Sequence, residues 1–174
     1  MMFRILVVDD HPTTCDGLAE LLPMKDGGMT VVGRAYTGAE ALALVDSQNP
    51  DVVVLDYALP DVSGADVARE MRGRGFPGRV LVFSGYDDEE IVREMLAAGV
   101  VGYVLKGKPW ARIIEAVRAA ARGEERFSAG VAAKLARMAV REPDFPKGLT
   151  AWQLEVLWLV MQGPAEQRKS RLIA

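Results

Sequence analysis

Five short apolar runs mark the first part of the chain: 3–8, 30–34, 52–56, 79–84 and 101–106. In Asp51-Val-Val-Val-Leu-Asp56 no polar residue interrupts the run between the two acids. A continuous apolar run of this length predicts a strand buried on both faces. Between the runs lie segments with helical patterning, 13–22, 38–47, 63–73, 87–98 and 109–122. Ala39-Glu-Ala-Leu-Ala-Leu-Val45 is a strong helix former. Gly27-Gly28, Asn49-Pro50, Phe76-Pro77-Gly78 and Gly99 supply the breaks, and Gly123-Glu-Glu-Arg126 is expected to close the fifth helix. Strand and helix alternate five times. The expectation is an α/β fold, a five-stranded parallel doubly wound sheet with helices on both faces and right-handed crossovers.

Beyond residue 122 the pattern changes. Ser128 is a plausible N-cap, and Val131, Leu135 and Met138 recur at helical spacing, which predicts a helix over 128–140. Glu142-Pro-Asp-Phe-Pro-Lys-Gly148 cannot hold regular structure, because two prolines and a glycine interrupt it. A last helix is expected from Thr150 to Gln162, stopped by Gly163-Pro164. The expected organisation is a first domain at 1–122, a linker with a connecting helix at 123–148, and an all-α piece at 149–174.

Composition adds limits. Half the residues are apolar and 26% are charged, as in ordinary soluble globular chains. No apolar run reaches membrane-span length and no signal-peptide pattern opens the chain. With a single cysteine, Cys15, this predicts a cytoplasmic protein with no membrane association. Residues 1–122 hold 13 Lys/Arg against 18 Asp/Glu, and residues 123–174 hold 8 against 6. An acidic first domain does not point to nucleic acid, and the second piece is only weakly basic.

The candidate chemistry sits where the runs end. Asp9-Asp10 follows the first run and Asp56 ends the third. Side by side in a parallel sheet, these runs would bring three carboxylates to one edge, where they repel one another and a divalent cation would relieve the cost. Ser84 and Lys106 end the fourth and fifth runs on the same edge. In open α/β sheets ligands bind there, at the point where strand order reverses. Carboxylates with a carbonyl and water suit Mg²⁺. Asp56 is placed as a nucleophile toward a phosphoryl group. Mg²⁺, the Lys106 ammonium and the Ser84 hydroxyl would neutralise the phosphoryl oxygens. His11, the only histidine, reads as a loop residue.

At these positions the chain resembles a two-component response-regulator receiver domain, over roughly residues 3–122. The matching stretches are Ile5-Leu-Val-Val-Asp-Asp-His-Pro12, Asp56-Tyr-Ala-Leu-Pro-Asp-Val-Ser-Gly64, Val80-Leu-Val-Phe-Ser-Gly-Tyr-Asp-Asp88 and Ala98-Gly-Val-Val-Gly-Tyr-Val-Leu-Lys106. Asp-Asp-His-Pro and Gly-Tyr-Val-Leu-Lys are most similar to the LuxR-type subfamily. The resemblance implies a flavodoxin-like fold with strand order 2-1-3-4-5 and Asp56 as acceptor of a phosphoryl group from a sensor histidine kinase. It implies Mg²⁺ held by Asp9, Asp10, Asp56 and the backbone carbonyl of Ala58. It further implies Lys106 pairing with the phosphoryl group, Ser84 moving to bond it, and Tyr103 changing rotamer as that loop shifts. A homodimer formed on phosphorylation is the implied partner. The subfamily's catalytic lysine is assigned to Lys106 rather than Lys108, from the strand pattern. Trp110, large for a surface site, is read as core packing or as part of a protein contact surface, with packing preferred.

Leu149-Thr-Ala-Trp-Gln-Leu-Glu-Val-Leu-Trp-Leu-Val-Met-Gln-Gly163 resembles the first helix of a LuxR-type helix-turn-helix output domain. Residues 163–174 hold no recognition helix, so DNA binding is expected only of a longer parent protein. Two rival functions remain: a receiver acting through protein contacts without DNA, and an Mg²⁺-dependent phosphatase with an Asp nucleophile. The phosphatase family that the second resembles carries its nucleophile at the end of strand 1, whereas Asp56 ends strand 3.

Overall fold

The structure, a computed structural model, describes residues 2–25 and 27–141. Strand β1 (Phe3–Val8) leads through α1 (Pro12–Lys25) to β2 (Met29–Ala35), α2 (Gly38–Gln48) and β3 (Val52–Leu55). Next come α3 (Gly64–Gly73), β4 (Arg79–Ser84), α4 (Glu89–Ala97), β5 (Gly102–Leu105), α5 (Trp110–Ala121), β6 (Arg126–Phe127) and α6 (Ala129–Arg141). The expected helix from Thr150 and the whole piece at 149–174 lie outside the described residues.

The sheet is parallel, in the order β2-β1-β3-β4-β5-β6. All four residues of β3 are buried, as are Ile5–Val8 of β1. Apolar runs are needed there because side chains on both faces leave water. One face packs on α1 and α5 through Cys15, Leu18, Leu22, Ile113 and Val117. The other packs on α2, α3, α4 and α6 through Val45, Met71, Met95 and Leu135. Thr37 caps α2, accepting a hydrogen bond from the Glu40 N–H at 3.1 Å, and Ser63 caps α3 from the Asp66 N–H at 3.1 Å.

One expectation is corrected. The sheet has six strands, not five. Gly123, at φ 80°, closes α5 after Ala121 as expected: its N–H donates to the Ala120 carbonyl and the Glu124 N–H to the Ala119 carbonyl, both at 2.9 Å, and Arg126–Phe127 then pairs with Gly102–Tyr103. Two residues are too few to show a strand pattern. The pairing depends on Gly102, where an added Cβ would lie 2.3 Å from the Arg126 carbonyl oxygen. Ser128 does precede α6, and its carbonyl accepts from the Ala132 N–H at 2.9 Å. Its hydroxyl is buried without a partner, so the cap is made by backbone alone.

Candidate functional site

The pairing of β1 with β3 sets Val8 beside Leu55. Each chain then leaves the sheet with an acid. Asp9 N–H donates to the Ala35 carbonyl at 3.0 Å and Asp56 N–H to the Val8 carbonyl at 2.9 Å. The succeeding helices part to opposite faces, α1 to one core and α3 to the other. That divergence opens a crevice at the carboxyl edge of the sheet. Asp9 and Asp56 are 2% and 3% exposed, so both carboxylates depend on protein partners.

Lys106 is that partner. One residue past β5, its Nζ stands 2.5 Å from Asp56 Oδ2 and 2.6 Å from Asp9 Oδ2. Burial alone would lower the lysine's pKa. The hydrogen bonds and charges of Asp56 and Asp9 outweigh it, and the ammonium is held above its ordinary range. Lys108 is exposed beyond the turn at Gly107, which has φ 80°. The second oxygen of Asp56, Oδ1, accepts from the Tyr57 N–H at 2.7 Å.

The donor set fits a hard divalent cation. Ligand atoms of Asp9, Asp10, His11 and Asp56 all lie within 4.8 Å of one another. Three carboxylates in that space match the oxygen preference of Mg²⁺. His11 occupies the β1–α1 loop, as expected, but does more than fill it. Its Nδ1 lies 2.7 Å from Asp10 Oδ1 and 3.1 Å from Asp9 Oδ1. Ala58 comes after Asp56 in a tight loop closed by a bridge to Ser63 and by the Gly64 N–H donating to the Tyr57 carbonyl at 2.7 Å.

Ser84 and Tyr103 sit on the neighbouring strands, both fully buried. The Ser84 hydroxyl accepts from the Tyr86 N–H at 3.4 Å, and the Tyr103 hydroxyl donates to the Tyr86 carbonyl at 2.5 Å. Burial pushes the Tyr103 phenol well above its ordinary range, so it remains a donor at neutral pH. The two residues therefore hold one residue, Tyr86, of the loop from β4 to α4, by its N–H and by its carbonyl.

Several supports were not legible in the sequence. Gly64 permits the loop: a Cβ there would lie 2.2 Å from the Asp56 carbonyl oxygen. The Asp61 carboxylate accepts from the Gly38 N–H at 2.8 Å and the Ala39 N–H at 3.0 Å, which lowers its pKa and ties the loop to the start of α2. The Tyr57 hydroxyl donates to Glu94 of α4 at 3.0 Å. Tyr57, Asp61 and Gly64 lie in the motif Asp56–Gly64, but no pattern in a single sequence assigns them these partners. Of the two readings of Trp110, packing holds on one side only: its ring lies against Phe83 at 6.1 Å between centroids, and the residue is 46% exposed. It starts α5 at the rim, where only one side of the ring meets the core.

Among the described residues no helix is long and apolar enough to cross a membrane. Residues 5–118 match the family model for the response regulator receiver domain. The chain is 39% identical over 122 residues to a probable transcriptional regulatory protein NarL of Mycobacterium tuberculosis, a match covering 70% of this chain and 56% of that one. It is 35% identical over 164 residues to the nitrate/nitrite response regulator protein NarL of Escherichia coli, covering 91% and 75%. The chain thus spans between about half and three quarters of these relatives' length. A crystal structure of a LuxR-family two-component response regulator from Aurantimonas superposes with a TM-score of 0.75 at 31% identity, covering 80% of this chain and 99% of that one.

Proposed function

Because the chain belongs to the response regulator receiver family, we propose that Asp56 is its phosphoacceptor and that a sensor histidine kinase is the donor. The observation that carries this reading is the Lys106 ammonium bridging Asp56 and Asp9 at the strand ends. An Asp56 oxygen attacks phosphorus, the bond from phosphorus to the donor nitrogen breaks, and the nitrogen keeps its electron pair and takes a proton. The product is an acyl phosphate on Asp56. Asp9, Asp10, Asp56 and the Ala58 carbonyl would hold Mg²⁺, which supplies positive charge for the phosphoryl oxygens. Lys106, freed from one carboxylate oxygen, pairs with the new dianion. Ser84 turns from the Tyr86 N–H toward the phosphoryl group, and the loop carrying Tyr86 shifts against Tyr103. The described conformation has Tyr103 buried with its hydroxyl already on that loop, so loop and tyrosine move together.

Residues 1–122 form the receiver in this reading, 123–148 the connection, and 149–174 the start of a helix-turn-helix output domain. Phosphorylation would favour a homodimer. The setting is cytoplasmic, and the chain is a signalling switch rather than a turnover enzyme. Incubation with acetyl phosphate and Mg²⁺ should add one phosphoryl group by intact-protein mass, and Asp56→Asn should add none. An unmodified wild type, under conditions that label a control receiver, would overturn the reading.

A further inference from the structure

Helix α6 is fastened to the same loop that Ser84 and Tyr103 hold. Lys134 Nζ lies 2.6 Å from the Asp87 carboxylate and also donates to the Asp87 carbonyl. Asp87 directly follows Tyr86, the residue whose carbonyl accepts from Tyr103 and whose N–H reaches Ser84. A second tie joins Arg141, at the end of α6, to Glu89 in the first turn of α4. A third lies at the start of α6, where the Ser128 N–H donates to the Tyr103 carbonyl at 2.9 Å. Between these ties Val131, Leu135 and Met138 are buried in one cluster with Val92, Met95 and Leu96 of α4.

The Lys134 side chain is 20% exposed, more sheltered than Arg69 and Arg74 in the surface ion pairs at α3, while its partner Asp87 is 46% exposed. A partly desolvated ammonium bonded to both a carboxylate and a carbonyl on one residue sets the position of that residue more firmly than a solvated pair does. Any shift of Tyr86–Asp87 must break this contact or carry α6 with it.

We propose that α6 is an intramolecular latch on the β4–α4 loop, closed through Lys134 and Asp87 and loosened when the phosphoryl site is filled. The proposal rests on the reading of Asp56 as phosphoacceptor. Coupling is reciprocal: if filling the site loosens α6, then loosening α6 favours filling the site. The latch therefore restrains the switch in the unphosphorylated protein, and its release passes the change to the residues C-terminal to α6.

The test uses the full chain, with Lys134→Met to remove the ammonium while keeping the apolar stem. Hydrogen exchange across α6 in the wild type should rise about fivefold or more on adding beryllofluoride and Mg²⁺. Lys134→Met should show faster α6 exchange without any addition, and should label with acetyl phosphate about fivefold faster than wild type. Lys134→Arg, which keeps the cation, should stay near wild type in both. Fluorine NMR reports whether beryllofluoride is bound. Bound beryllofluoride with unchanged α6 exchange, or Lys134→Met labelling at or below the wild-type rate, overturns the latch while leaving the phosphoacceptor intact. No bound beryllofluoride and no labelling of wild type overturns both.

Discussion

Replacing Lys106 with methionine tests the electrostatic logic of the site most directly. The substitution keeps the apolar stem and deletes the ammonium between two nearly buried carboxylates. At an effective dielectric near 20, a charge pair at these distances is worth about 6–7 kcal/mol gross. Desolvation of all three groups, and repulsion between the two acids, offset most of that. Breaking a buried pair by removing one partner costs about 3–5 kcal/mol. Lys106 is 22% exposed, so water can partly replace it and the lower end applies, about 3 kcal/mol. For a chain of 174 residues that lowers Tm by about 6–12 °C. Thermal and urea unfolding in EDTA would measure it. Mg²⁺ should recover more stability in the variant than in wild type, since ammonium and dication neutralise the same carboxylates. The pH dependence has a definite sign. The folded lysine is held above its ordinary 10.5, so its contribution is complete below that value and lost as pH rises through the folded pKa. The gap between wild type and variant should stay constant from pH 7 to 9 and narrow in strong alkali. A gap under about 1 kcal/mol, no larger than a solvated surface pair gives, or one that widens above pH 10.5, would refute the reasoning.

Two further outcomes are expected. Gly64→Ala should destabilise by about 1–3 kcal/mol and slow phosphoryl labelling, because its Cβ meets only backbone atoms at Asp56 and Tyr57. Gly73→Ala, with open space around its Cβ, is the control, and equal effects at both positions would sink the steric argument. Cys15 is fully buried, with its thiol pushed up to about 11, first by burial and then by the Asp9 charge. Ellman's reagent at pH 8 should therefore leave it untouched until the protein unfolds, and rapid labelling of native protein would contradict its placement. In linkage terms its neutral form adds stability below the ordinary 9.0, which is lost as pH climbs through about 11.

The chain's local pattern carried the fold class and the placing of Asp9, Asp10, Asp56, Ser84 and Lys106 at one edge of the sheet. Val52–Leu55 and Ile5–Val8 are apolar because both faces of a central parallel strand are buried, and an acid just past each run must emerge at the sheet edge. That information lies within a few neighbouring positions, so it can be read in order along the chain. Lys106 was separable from Lys108 for the same reason, since β5 ends at Leu105.

Only the tertiary structure decided what joins across distance. Lys106 and Asp56 are 50 residues apart, and Lys134 and Asp87 are 47 apart. Neither separation leaves a periodic signal, because these contacts depend on which strands become neighbours and where each helix docks. The stripe of Val131, Leu135 and Met138 predicted that α6 has an apolar face, yet not that α4 covers it. Arg126–Phe127 became a strand because Gly102 left room beside β5. Periodicity records that a face must leave water. The packed fold determines which partner it meets.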